Sequence, residues 1–167
     1  MKAQKELLDL IGNYLKLSGE TISTAESVTS GLLQFSLSQL KDASDFFKGG
    51  ITTYTIDEKV KFLDINQQEG EEFNCVTQNI SDTMALNVSK MFGTDWGIAV
   101  TGYATPVEES DFKLFAYFSF SYKKKIIFNR IIHGDLNTDP MNVQLYYSEY
   151  IIKHLMEQMD KLNKIAK

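Results

Sequence analysis

The sequence predicts an α/β domain: a mixed sheet covered by helices on both faces, in three α/β/α layers. Two observations lead there. Apolar stripes at helical spacing alternate with short runs rich in β-branched and aromatic residues, which is the order of parallel βαβ units. The last two such runs flank Lys123-Lys124-Lys125 and read as an antiparallel hairpin, so the sheet is mixed. With 167 residues, 43% of them apolar and 23% charged, the chain suits a single domain over residues 1–167. Such a domain buries about two-thirds of its unfolded surface.

Taken in order, Leu7, Leu8, Leu10, Ile11, Tyr14 and Leu15 form a helical stripe that ends near Ser18-Gly19. A short strand, Glu20 to Thr24, leads to Ser27. A second helix spans Gly31 to Leu40, with Leu32, Leu33, Phe35, Leu37 and Leu40 as its apolar residues. Phe46 to Thr55 is β-rich, and Gly49-Gly50 within it marks a bulge or a close backbone approach. Val60 to Leu63 reads as a short helix, followed by an acidic loop through Glu69, Glu71 and Glu72. Thr77 suits the N-cap of a helix reaching Phe92 with Met84, Val88 and Met91 inward. Trp96 to Thr101 is a strand, and Trp96 a core or interface residue. The hairpin runs from Phe112 to Tyr122, with Lys113 as a strand-face charge, and returns from Ile126 to Ile132. Asp139-Pro140 opens a closing helix to about Leu162, because Asp suits the N-cap and Pro the first turn.

Composition excludes several classes. A net charge of −5 argues against a nucleic-acid binder, which carries a basic face. No apolar run is long enough to span a bilayer, and Met1 to Leu17 lacks the pattern of a signal peptide. The lone Cys75 precludes an intrachain disulfide, in keeping with a cytoplasmic protein. Two histidines and one cysteine, far apart, build no metal cluster, and neither metal nor cofactor is expected.

Chemistry concentrates at Thr24-Ala25-Glu26-Ser27-Val28-Thr29-Ser30-Gly31, between strand and helix. A serine there exposes its hydroxyl where free helix N–H groups and the helix dipole favour negative charge. Lys59 brings an amine that acts as a base when burial lowers its pKa, and serine plus lysine makes a nucleophile without histidine. By local spacing alone, Ser27 also reads as a helix cap and Lys59 as a solvated charge.

Five segments in order carry a resemblance. Ala25-Glu26-Ser27-Val28-Thr29-Ser30-Gly31 is similar to A-E-S-C-T-G-G of the CinA C-terminal domain family. Ile51 to Lys59 resembles its V-x-x-Y-S-N-E-A-K, and Val76-Thr77-Gln78 its V-S-E. Ala99 to Pro106 resembles A-V-T-G-I-A-G-P, and His133-Gly134-Asp135 the x-G-D. Full-length members often carry a further amino-terminal domain, for which this chain leaves no room. The resemblance implies an amidase that hydrolyses the carboxamide of nicotinamide mononucleotide, in NAD salvage. Ser27 is then the nucleophile, with Tyr54 and Lys59 activating it and relaying protons. Backbone N–H groups around Val28 to Gly31 are the implied oxyanion donors. Glu26, Thr29, Ser30, Gly31, Thr101, Gly102 and Thr105 are the implied substrate contacts. Glu26 can also orient Lys59 or close a polar network, and Thr29 can cap the helix. The partner expected is a small-molecule amide, with no nucleic acid, no membrane, and a homo-oligomer if the hairpin exposes apolar surface.

The departures bear on substrate. Val28, Ser30, Ile56 and Thr105 replace the family's Cys, Gly, Asn and Gly. Val107-Glu108-Glu109-Ser110-Asp111 stands where a glycine-rich, anion-holding loop is expected, and Leu136 replaces the Arg of G-D-R. These changes predict a pocket that holds phosphate poorly and favours an amide without one, such as nicotinamide riboside. A divergent member that only binds a ligand or partner is the alternative.

Overall fold

The computed structural model describes residues 2–165. Its one sheet contains β1 (Ile22–Glu26), β2 (Phe47–Thr52), β3 (Trp96–Gly102), β4 (Phe115–Tyr122) and β5 (Lys125–His133), in the order β2-β1-β3-β4-β5. β1 is parallel to both β2 and β3, whereas β3–β4 and β4–β5 are antiparallel. The sheet is therefore mixed, as the sequence predicts. Helices α1 (Lys2–Ser18), α2 (Leu32–Ser38), α3 (Ala43–Phe46) and α7 (Pro140–Ile165) lie on one face. The other face carries α4 (Ile56–Leu63), α5 (Gln67–Glu72) and α6 (Gln78–Phe92). Met1 lies outside the described residues.

Strand alternation divides the core into two. Ile22, Trp96, Ile98, Val100, Phe118 and Phe120 point toward α1, α2 and α7 and join the larger cluster. Ala25 and Ala99 point the other way and join a smaller one with Leu63, Cys75, Met84 and Val88. Residues on that second face are small because α6 rests almost on the sheet backbone. A Cβ added at Gly97 would lie 2.1 Å from the Ala85 carbonyl oxygen. Ser121 donates to that same oxygen at 2.8 Å, and Ser23 donates to the Val88 oxygen at 3.2 Å.

Several element limits differ from expectation. The acidic segment at Glu69–Glu72 is helical, not a loop, because Asn66 caps it by accepting the Glu69 amide at 2.9 Å. The strand expected through Thr55 stops at Thr52; Thr55 instead caps α4, accepting the Glu58 amide. Phe46 belongs to α3, and the first strand runs to Glu26 rather than Thr24. A bulge shifts the β1–β2 register, with Ile22 opposite Phe47 and Ser23 opposite Gly49. Lys113 precedes β4 and pairs with Asp111 at 2.7 Å instead of lying on the strand. Met91, expected inward, is exposed at the edge of the buried stripe of α6, and Leu10 and Phe35 are exposed because they lie nearly opposite the buried faces of α1 and α2. Trp96 is core, its indole N–H donating to Glu20 at 2.9 Å. Thr77 and Asp139 cap α6 and α7 by accepting the amides of Ile80 and Asn142.

Candidate active site

The site lies at the carboxyl ends of the parallel strands, the usual position for ligands in open α/β sheets. Ser27 continues β1 by one residue, its amide donating to the Val100 oxygen of β3 at 3.1 Å. Beyond it the chain reverses through Ser30 (φ 50°) and Gly31 (φ 100°), both left-handed. Ser30 thus holds a conformation that suits the glycine it replaces. Gln144 of α7 donates to the Val28 oxygen at 2.8 Å, and the Val28 side chain is buried in the larger core. Ser27 is left only 6% exposed.

The N-terminus of α2 is not a vacant anion site. The buried Glu26 carboxylate fills it, accepting the Thr29 hydroxyl at 2.6 Å and the amides of Gly31, Leu33 and Gln34 at 3.0, 3.1 and 2.8 Å. Glu26 therefore closes a polar network with Thr29 and does not reach Lys59. Among the described residues, the loop amides left unpaired are those of Val28 and Thr29.

Lys59 lies in α4 and is 3% exposed. Its Nζ donates to the Tyr54 backbone oxygen at 3.4 Å. Burial pulls its ammonium below the ordinary value of 10.5, an effect partly opposed by the nearby Cys75 thiol. Burial pushes that thiol up in turn. Cys75 and Asn74 are both left-handed, a turn held by Thr101, whose hydroxyl donates to the Cys75 oxygen at 2.7 Å. Asn74 donates to the Tyr103 hydroxyl at 3.1 Å, and Tyr147 donates to the Tyr103 backbone oxygen at the same distance.

Ser27, Tyr54, Lys59, Thr101, Gly102 and Thr105 all line one cavity of about 740 Å³. Glu26, Thr29, Ser30 and Gly31 do not. Gly102 is glycine for packing, since a Cβ there would meet Ala116 and the Phe115 oxygen at 2.4 Å. Tyr54 sits at the rim, 70% exposed. No hydrogen bond joins the Ser27 hydroxyl to Lys59; the recorded bond of Lys59 Nζ goes to Tyr54.

Of the 107–111 segment Val107 and Glu109 line the cavity, while Asp111 is taken by Lys113. Leu136 is exposed and outside it. Asp57, Asn74, Tyr103 and Gln144 also line the cavity and were not foreseen. Asp57 and Tyr103 lie inside recognised motifs and Asn74 just before one, whereas Gln144 arrives from the closing helix. Among the described residues no group of His, Cys, Asp and Glu could hold a metal, and no helix is long and apolar enough to cross a membrane.

The model of the CinA C-terminal domain matches residues 4–159, and this chain belongs to that family. A CinA-like protein of Rippkaea orientalis is 39% identical over 107 residues, covering 64% of this chain and 26% of that protein. One from Gloeothece citriformis is 38% identical over 110 residues, 66% of this chain and 26% of that protein. The chain thus spans about a quarter of the length of the curated relatives it matches. Two solved structures share the fold. A competence or damage-inducible protein from Enterobacter asburiae superposes with TM-score 0.86 at 22% identity, covering 93% of this chain and 98% of that one. A CinA superfamily protein from Klebsiella pneumoniae gives 0.87 at 22%, covering 95% and 98%.

Proposed function

We propose that this chain is an amidohydrolase of the CinA type, cleaving a carboxamide to an acid and ammonia. One observation carries the reading: a nearly buried serine and a buried, desolvated lysine line the same cavity. A lysine whose pKa is lowered is neutral more often and can accept a proton. In the reaction, Ser27 Oγ attacks the carboxamide carbon as Lys59 Nζ takes the hydroxyl proton. The unpaired amide of Val28, which lines the cavity, is the donor available to the developing oxyanion. The tetrahedral adduct collapses when a proton reaches the nitrogen, from Lys59 directly or through the Tyr54 hydroxyl, and ammonia departs. Water then attacks the acyl-serine, and the acid leaves.

The substrate carries no phosphate in this reading. Among the described residues Lys59 is the only cationic one lining the cavity. The sequence's sole arginine, Arg130, lies instead against His154 at 3.1 Å. Nicotinamide mononucleotide would meet no guanidinium clamp. The decisive experiment measures ammonia released from nicotinamide riboside and from the mononucleotide. Ser27→Ala and Lys59→Met should each abolish release from folded protein; turnover by Ser27→Ala would end the acyl-enzyme reading. The missing Ser27–Lys59 hydrogen bond favours a second reading, a ligand-binding module without turnover. That reading requires the unaltered protein to bind these amides and release no ammonia.

A further inference from the structure

A second cavity, of about 780 Å³, opens at the end of the sheet remote from Ser27. It is framed by the last turns of α6, by the Gly93–Asp95 loop that leads into β3, and by the turn between β4 and β5. Because β4 runs antiparallel to β3, that turn returns to the amino end of β3, opposite the carboxyl ends where Ser27 sits. Lys90, Lys123 and Lys124 line it against one acid, Asp95. Asp95 is committed to the chain just before β1, its carboxylate accepting the Thr21 amide and hydroxyl at 2.9 and 3.1 Å. Lys123 shares its charge with Glu20 at 3.5 Å. Lys90 and Lys124 have no ion-pair partner among the described residues.

Two further details favour an anion. The Ser89 and Lys90 carbonyls that end α6 are already taken by the Thr94 and Gly93 amides, which blunts the repulsion of the helix end. Lys123 and Lys124 both hold left-handed backbone, with φ of 47° and 66°. Asn-Gly or Asp-Gly ordinarily makes a two-residue hairpin turn of that kind. Two lysines therefore keep positive charge here against the backbone's preference, in a chain whose net charge is −5.

We propose that this cavity binds a small molecule carrying a chain of phosphates, a triphosphate group above all, held by Lys90, Lys123 and Lys124. Three ammonium groups on two separate elements suit several phosphate charges in a row, because each is a compact point charge on a mobile stem. The volume has room for a nucleoside beyond the phosphates, with Leu86 and the lysine stems as its apolar wall. The site shares no residue with the Ser27 cavity and does not rest on the amidase reading.

The test is calorimetry on the full chain at low salt, with inorganic triphosphate and adenosine triphosphate as probes. Both should bind with submillimolar Kd, and both affinities should fall as salt is raised. K90Q/K124Q should weaken binding about tenfold or more. K153Q/K161Q removes the same charge from exposed positions of α7 and should leave binding within about twofold. All four lysines are exposed, so both double variants are expected to fold, which circular dichroism checks. Amide resonances should shift at residues 86–95 and 122–125 and stay still at 27–31 and 54–59. Equal affinity for the two probes means that the phosphates alone are read; tighter adenosine triphosphate means that the nucleoside is read as well. Failure of both probes to bind at millimolar concentration overturns the proposal. So does an equal loss in the K153Q/K161Q protein, or a set of shifts confined to the Ser27 cavity.

Discussion

The Glu26 carboxylate accepts the Gln34 amide at 2.8 Å and, through its other oxygen, the Thr29 hydroxyl at 2.6 Å, so the residue before the candidate nucleophile serves as an internal cap for α2. A helix start that would otherwise attract a substrate anion is thereby neutralised by the chain itself. Three backbone amides depend on this one side chain.

Removing it should therefore be costly. Glu26→Ala strands those amides in a buried site and should destabilise the domain by roughly 3–5 kcal/mol. Glu26→Gln keeps the volume but turns an N–H toward one donor, and should cost about 1–2 kcal/mol. Urea denaturation measures both; a midpoint unmoved by Glu26→Ala would show that the network contributes little.

Lys59 makes stability depend on pH with a definite sign. Its folded pKa lies below the ordinary 10.5, so between those two values the unfolded chain binds more protons than the folded one, and stability rises with pH. The burial cost is full below the folded pKa and is gone above 10.5. Lys59→Met should raise the melting temperature at neutral pH, by a margin that shrinks as pH nears 10.5. A constant margin would mean that the ammonium is not desolvated. Ammonia release by the unaltered protein should climb with pH along the same limb, because the neutral amine is the base.

Gly97→Ala tests how closely α6 rests on the sheet. The new Cβ would sit 2.1 Å from the Ala85 oxygen, so helix or strand must shift. A loss of about 1–3 kcal/mol is expected, as for other overpacked sites. Unchanged thermal stability would show that the helix slides freely.

Thr101→Val removes the hydroxyl bonded to the Cys75 oxygen, 2.7 Å away, while keeping the side chain's shape. The left-handed Asn74–Cys75 turn loses its tether, at about 1–3 kcal/mol for a buried carbonyl left unpaired. If Asn74 also steadies Tyr103 at the cavity, KM for a pyridinium carboxamide should rise while kcat holds. A fall in kcat alone would instead give Thr101 a role at the reacting atoms.

The layers of the fold were legible because burial imposes periods that a sequence displays. The β1–Ser27–α2 junction, the Thr77 and Asp139-Pro140 caps and the antiparallel hairpin each carried a local signal. Helix α5 was missed because Gln67–Glu72 has no apolar stripe; its only announcement is the Asn66 cap. At the site, Ser27 and Lys59 could be named from their motifs. Glu26 could not be assigned, since whether a carboxylate turns toward a lysine or a helix end is decided by rotamer and packing. Asn74 and Gln144 reach the cavity from segments that no spacing ties to it, while Tyr103 sits beside the named Gly102 but stands where the family motif has an apolar residue.

The division of the core by the sheet reaches into the chemistry. Val28, beside the serine, is moored in the larger cluster with α2 and α7, whereas α4, which carries the lysine, is moored through Leu63 in the smaller cluster with α6. The gap a proton would cross is thus a dimension of the whole sandwich, set by how thick each half happens to be. A methyl group added beneath α6, far from any substrate, would retune that gap as surely as a change at the cavity wall.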